Sequence, residues 1–209
     1  MVQKGQFLER PTLIPVEKRV LEGLWHRGER TPPLLIVPPP PEQGGSMDHV
    51  VAAEIAWAVS QTGRATLRFN FAGVGASQGG RGGGAAQRAD LRGAITVLRE
   101  NTGASAVCAA AIGASARLLI EEAARDDALC GLCWISPNGV SVKDILALER
   151  PLLVLMGSDA QEDVPRGWHQ ALAQVGARVE VVERADATFN RNLPHVGRTL
   201  ARWLSTQFH

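Results

Sequence analysis

The sequence predicts an α/β fold in which helices cover both faces of a mostly parallel central sheet. Apolar, strand-like segments alternate with helix-like segments along the chain, and parallel strands need such crossover helices. The strand-like segments are continuous apolar runs, which is typical of strands buried on both faces. No internal repeat or second domain is evident, so residues 1–209 are expected to form a single domain without a large cap domain.

The predicted elements follow one another in a regular order. Strands are expected at residues 21–25, 34–37, 65–71, 106–110, 129–135, 152–156 and 179–182. Helices are expected at residues 49–61, 87–100, 112–125, 166–175 and 193–204, from the spacing of their apolar side chains. In a sheet of this type the ligand crevice lies at the carboxyl ends of the strands.

The bulk composition is that of a globular protein, with 45% hydrophobic and 21% charged residues in a chain of 209. The formal net charge of +1 gives no reason to expect nucleic acid as a partner. No apolar run is long enough for a membrane span. Residues 1–10 carry charges and lack the apolar core of a secretory signal, so a cytoplasmic location is expected.

The cysteines are odd in number, which suits a reducing compartment better than a disulfide framework. Cys130 and Cys133 have C-x-x-C spacing within the apolar run LCGLCWI. That context favours two small core residues over a redox or metal site. No zinc-binding cluster is evident, and no cofactor or metal is expected.

Several spaced motifs occur together in a defined order. The segment LRFNFAGVGASQG covers residues 67–79, GGSMDHVV covers 44–51, and GAITVLRE covers 93–100. Weaker matches continue through VLMGSDAQEDVP and ERADATFNRN towards the C-terminal helix. This series resembles the small bacterial α/β-hydrolases of the dienelactone-hydrolase-like kind, over nearly all of the chain after residue 21. The resemblance implies an α/β-hydrolase fold.

The resemblance also implies a catalytic triad, and this sequence departs from it. In this fold the nucleophile lies in G-x-S-x-G, on a sharp turn between a strand and a helix. The matching stretch is taken to be residues 109–113, which places Ala111 at the serine position. The family's A-D-H-F reads Ala185-Asp186-Ala187-Thr188, so Ala187 stands at the histidine position. Neither alanine can attack a carbonyl or take a proton.

The acid position and the oxyanion region also lack the functional residues of the family pattern. Counting from Gly157 places Ala160 at the acid, and counting back from Pro165 places Gln161 there. The family's H-P-H-P corresponds to four prolines here, with Pro38 and Pro40 at the histidine positions. Proline has no N–H to donate. We therefore expect a degenerate triad and a pseudoenzyme.

Three functional hypotheses share this fold, and the fold alone does not choose among them. In the first, a non-catalytic protein holds a small apolar ligand in the former crevice, or docks a protein partner on one of its surfaces. In the second, the chain is a divergent esterase with a displaced nucleophile, Ser115 or Cys108. In the third, it is a structural subunit of a homo-oligomer or larger assembly. The expected crevice residues are Pro38, Pro40, His49, Ala111, Ile112 and Ala187.

Overall fold

The computed structural model describes residues 8–163 and 165–208, and the side chains of residues 161–163 lie outside that description. The strands are Arg10–Val16 (β1), Arg19–His26 (β2), Arg30–Val37 (β3), Arg64–Phe69 (β4), Val107–Ile112 (β5), Leu129–Ile135 (β6), Leu152–Gly157 (β7) and Arg178–Val182 (β8). The helices are Val50–Ser60 (α1), Gly84–Thr102 (α2), Ser115–Ala123 (α3), Val142–Leu146 (α4), Trp168–Gln174 (α5) and Leu193–Gln207 (α6). Short 3-10 turns cover Pro41–Gln43 and Ser158–Asp163.

The strands form one sheet in the order β1-β2-β4-β3-β5-β6-β7-β8. Strands β3 to β8 pair in parallel, while β2 is antiparallel to both β1 and β4. The predicted mostly parallel sheet is therefore confirmed. Strand β1 was not predicted, because Pro11 and Pro15 interrupt its apolar pattern. As an edge strand it tolerates prolines, which cannot donate to a neighbour.

Two apolar layers hold the helices against the sheet. One face packs against α2, α3, α4 and α5, through side chains such as Leu91, Leu119 and Leu172. The other face packs against α1 and α6, through side chains such as Ile55 and Leu200. Helices on both faces leave the carboxyl ends of the parallel strands as the accessible edge of the sheet.

Most differences from the sequence-based elements lie at their ends. The strand expected at 34–37 begins four residues earlier, at Arg30, and the helix expected at 112–125 begins only at Ser115, because β5 continues through Ile112. Helix α4 was not predicted, since five residues are too few to show a helical period. Among the described residues, no helix combines the length and apolar character that a membrane span requires.

Candidate functional site

A cavity of about 230 Å³ opens at the carboxyl ends of β6 and β7. Its wall comprises the loop after β6, the end of β7, the 3-10 turn that follows β7, the start of α5 and the loop after β8. The lining residues are Ser136, Pro137, Asn138, Gly139, Val140, Met156, Ala160, Pro165, Trp168 and Ala187. This is the crevice that the topology places at the ends of the parallel strands.

Two of the positions expected to carry the triad meet in this cavity. Ala160 and Ala187 both line it, although they are far apart in the sequence. Gln161 lies in the same 3-10 turn as Ala160, and its side chain is outside the described part of the chain. Within the described residues, no histidine lines the cavity.

Ser136 links two loops of the cavity wall by a hydrogen bond. It follows β6 directly and adopts a φ of 44°, in the left-handed region that non-glycine residues rarely occupy. Its hydroxyl donates a hydrogen bond of 2.8 Å to the carbonyl oxygen of Ala187. A strained backbone of this kind persists only where its surroundings fix it. The loops after β6 and β8 are thus held in one arrangement.

The sharp turn between β5 and α3 lies at Gly113, and the expectation that Ala111 occupies it is wrong. Ala111 is fully buried inside β5, in register with Trp134 of β6. The strand ends at Ile112, and Gly113 has a φ of 62°. Glycine adopts this conformation without the steric cost that other residues pay. The turn between β5 and α3 therefore lies two residues after the position that the sequence pattern assigns to it.

The space beside Gly113 is open enough for a side chain. A Cβ atom there would lie 3.5 Å from Oε1 of Gln43 and 3.8 Å from Nδ2 of Asn138, which are ordinary contacts. The backbone N–H of Asn138 donates to the carbonyl oxygen of Gly113 at 3.4 Å. Since Asn138 also lines the cavity, the turn borders the site that contains Ala160 and Ala187.

The sequence matches no protein-family model and no curated protein, but it is similar to several solved structures. An α/β serine hydrolase homologue from Coxiella burnetii is 25% identical, with a TM-score of 0.80 over 93% of this chain and 97% of that chain. A putative α/β hydrolase from Agrobacterium tumefaciens is 20% identical, with a TM-score of 0.82 over 95% and 96%. A dienelactone hydrolase from Anabaena variabilis is 16% identical, with a TM-score of 0.74 over 97% and 99%. This chain has the α/β-hydrolase fold.

Most of the other residues expected in the crevice of this α/β-hydrolase fold lie outside the cavity. Pro38 and Ile112 are buried. Pro40 is half-buried, and its carbonyl accepts hydrogen bonds from Gln43 and Gly45 within its own turn. His49 caps α1, since its Nδ1 accepts a hydrogen bond of 3.3 Å from the backbone of Val51. Burial lowers the pKa of His49, which suits a neutral ring that accepts a hydrogen bond. Of the six expected crevice residues, only Ala187 lines the cavity.

The two candidate displaced nucleophiles are both buried away from the cavity. The Ser115 hydroxyl donates a hydrogen bond of 2.6 Å to the carbonyl oxygen of Pro38. Cys108 is fully buried within β5, and burial raises the pKa of its thiol well above the usual value, which disfavours the thiolate. Within the described part of the chain, neither side chain forms a hydrogen bond with a histidine. Activation by a paired base needs such a bond.

Proposed function

We propose that this protein is a non-catalytic member of the α/β-hydrolase fold that binds a small, largely apolar molecule in the former active-site crevice. One observation carries the proposal. The positions that would supply nucleophile, acid and base are occupied by Gly113, by Ala160 or Gln161, and by Ala187. Ala160 and Ala187 line one cavity, and Gly113 accepts a hydrogen bond from Asn138, which lines the same cavity.

The absence of these side chains removes the chemistry of the triad. Loss of the serine or the histidine alone typically lowers turnover by roughly a million-fold. An enzyme without its triad keeps roughly 10³- to 10⁴-fold catalysis over water only where its oxyanion hole is intact. The loop after β3 supports the same conclusion, because its prolines offer no N–H to a developing oxyanion. An open crevice without these groups is suited to binding without turnover.

The size and lining of the cavity indicate the class of ligand. A cavity of roughly 150 Å³ accommodates benzene, so about 230 Å³ suits a single ring with one or two substituents. Val140, Met156 and Trp168 provide an apolar wall, while Asn138 and Ser136 provide polar groups at one side. A mostly apolar pocket with a few polar groups is the usual form of a small-molecule site.

The other hypotheses have weaker support in the structure. A displaced nucleophile would have to be Ser115 or Cys108, and both side chains are buried away from the cavity. A structural or partner-binding role would be favoured by a large exposed apolar patch. The exposed large apolar side chains are instead spread over several elements, and the largest grouping on one element is a pair. They are Leu8 and Leu13 before and in β1, Val50 and Trp57 on α1, Leu146 on α4 and Val179 on β8. A protein partner, a homo-oligomer and a cytoplasmic location stay predictions.

The test combines an esterase assay with a binding assay that uses benzyl alcohol as the probe. We expect p-nitrophenyl acetate to be hydrolysed at the rate of buffer alone. We also expect benzyl alcohol to shift the methyl resonance of Met156, which lines the cavity. Ala187→Leu should fill the cavity and weaken binding by about tenfold or more, roughly 1.4 kcal/mol. Ala173→Leu, on an exposed position of α5 away from the cavity, is the matched control.

Each alternative outcome is informative. Hydrolysis abolished by Ser115→Ala or Cys108→Ala would show that the chemistry has moved to that residue. Binding of benzyl alcohol that is unaffected by Ala187→Leu would place the ligand outside the crevice and contradict the proposal.

A further inference from the structure

A pair of thiols lies in the half of the sheet opposite the crevice. Cys108 is near the start of β5 and Cys130 is near the start of β6, and their sulfur atoms are 3.7 Å apart. Cys108 is fully buried, whereas Cys130 is partly exposed. Cys108 pairs in register with Gly131, where a Cβ would come within 3.1 Å of the Cys108 sulfur. The glycine therefore makes room for this sulfur beside Cys130.

A buried cation accompanies the two thiols. Arg64 is fully buried, and its guanidinium donates to the carbonyl oxygens of Pro32, Leu204 and Phe208. Its Nε has no hydrogen-bond partner, and no carboxylate among the described residues forms an ion pair with it. Arg64 interacts electrostatically with both thiols. A buried cation without an anionic partner is costly, so these surroundings favour negative charge on a neighbouring sulfur.

We infer that Cys108 and Cys130 form a peroxide-sensitive thiol pair, in which a hydroperoxide oxidises the two thiols to a disulfide that links β5 to β6. This modification site is independent of the crevice and of the proposed function. It also differs from the C-x-x-C pair of the sequence, because the partner of Cys130 is Cys108 and not Cys133.

The chemistry assigns a different role to each sulfur. The hydrogen bond from Cys108 lowers the pKa of Cys130, and Arg64 and Arg150 lower it further, in opposition to burial. Burial raises the pKa of Cys108, so Cys130 is the thiolate that reacts first. Its sulfur attacks one peroxide oxygen, the O–O bond breaks, and the product is a sulfenic acid with release of water or an alcohol. The Cys108 sulfur then attacks the Cys130 sulfur, an S–S bond forms, and the sulfenic oxygen leaves as water.

The overall step balances with hydrogen peroxide as the oxidant. Two thiols and one hydrogen peroxide give one disulfide and two waters, and the two electrons pass from sulfur to the peroxide oxygens. The sulfur atoms must approach from 3.7 Å to about 2.05 Å. Cys133 takes no part, because the first step needs a sulfur that the oxidant can reach and Cys133 is fully buried, and because the thiol hydrogen-bonded to Cys130 is that of Cys108.

The test counts free thiols after hydrogen peroxide treatment of the reduced full-length protein. After a catalase quench, the protein is unfolded in guanidinium and titrated with a thiol reagent. The chain holds three free cysteines, and we expect the count to fall from three to one with no disulfide-linked dimer on a non-reducing gel. Tryptic mapping should show residues 100–117, which contain Cys108, joined to residues 126–143, which contain both Cys130 and Cys133, and fragmentation of the joined peptides should assign the bond to Cys130. This mapping uses the wild-type protein and does not depend on whether any variant folds.

Variants of the three cysteines identify the pair. Cys133→Ala, the matched control, should pass from two free thiols to none and form the same linkage. Cys130→Ser should keep both of its thiols under the same treatment. Cys108→Ala should leave Cys130 as a sulfenic acid that dimedone captures. A wild-type protein that keeps three thiols, a linkage that includes Cys133, or loss of thiols only through dimers would overturn the inference.

Discussion

At the scale of single residues, the small side chains of β5 have a packing role. Ala109 and Ala111 face the same apolar layer as Trp134, the largest of the fully buried side chains, and Ala111 lies opposite it in register. Interiors pack as densely as organic crystals, so a bulky ring in one strand requires small residues beside it. Ala111 is therefore explained by the space that Trp134 occupies, and no lost nucleophile is needed to account for it.

This role makes Ala111→Ser a stability variant. We expect its hydroxyl to be buried without a good partner, which should lower the free energy of unfolding by about 1–3 kcal/mol. Urea unfolding measures this change, and hydrolysis of p-nitrophenyl acetate should stay at the rate of buffer. Ala173→Ser, on an exposed position of α5, is the control and should change stability by about 0.5 kcal/mol or less. Ester hydrolysis by Ala111→Ser would return the nucleophile position to residue 111.

At the scale of elements, the sequence predicts that a strand or helix is present better than it predicts the residues at which that element begins and ends. The alternation of strands and crossover helices along the chain, and a mostly parallel sheet, follow from the apolar segments, and the structure confirms both. The end of β5 does not follow, because the run from Cys108 to Ser115, in which Ile112 is the one large side chain, has no periodic pattern that separates strand from turn. Only the positive φ of Gly113 separates them. The turn therefore lies two residues after the predicted position, whereas Ala160 and Ala187 line one cavity; their assignment to the acid and base positions, with Gln161 as the other candidate acid position, stays a prediction.

Helix α4 packs against α5, whose Trp168 lines the cavity, and it begins at a capping box. Asp144 donates its backbone N–H to the Ser141 hydroxyl at 3.2 Å, while its carboxylate accepts from the backbone and hydroxyl of Ser141 at 3.0 and 2.7 Å. We expect Ser141→Ala to lower the free energy of unfolding by about 1 kcal/mol. Ser105→Ala, on an exposed loop residue, is the control. An equal effect of both variants in urea unfolding would contradict the capping role.

The same cap predicts a pH dependence. Hydrogen bonds from Ser141 lower the pKa of Asp144 below its usual value. A carboxyl group with a lower pKa in the folded state stabilises the fold above its unfolded pKa, about 3.9, and loses that contribution as pH falls through the folded pKa. The difference in stability between wild type and Ser141→Ala should therefore be full at neutral pH and shrink below about pH 4. A difference that does not change between pH 7 and pH 3 would exclude the Asp144 carboxylate as its source.

At the scale of the whole molecule, the crevice exists because of topology and not because of catalytic side chains. Loops after β5, β6, β7 and β8 converge at one edge of the sheet, since the strands that precede them are parallel. Two packed layers hold those strands in place independently of the loops. The fold can therefore persist with Gly113, Ala160 and Ala187 at the edge where the loops converge. The hydrolases of known structure share this architecture, but a shared architecture does not determine the activity of this chain.

If the crevice keeps this geometry, replacing the three residues together should create ester hydrolysis. Gly113→Ser combined with Ala160→Asp and Ala187→His should hydrolyse p-nitrophenyl acetate at least about tenfold faster than buffer, a small part of the roughly million-fold that an intact triad contributes. The serine at residue 113 should cost roughly 1–2 kcal/mol of stability, because of its left-handed backbone. Gly113→Ser alone should stay at the background rate of hydrolysis, since no imidazole faces it.

The matched control is the same triple replacement with Ala111→Ser in place of Gly113→Ser. In this fold a serine is catalytic only on the turn between the strand and the helix. Activity in the control and not in the Gly113 variant would therefore show that the turn has been assigned to the wrong residue.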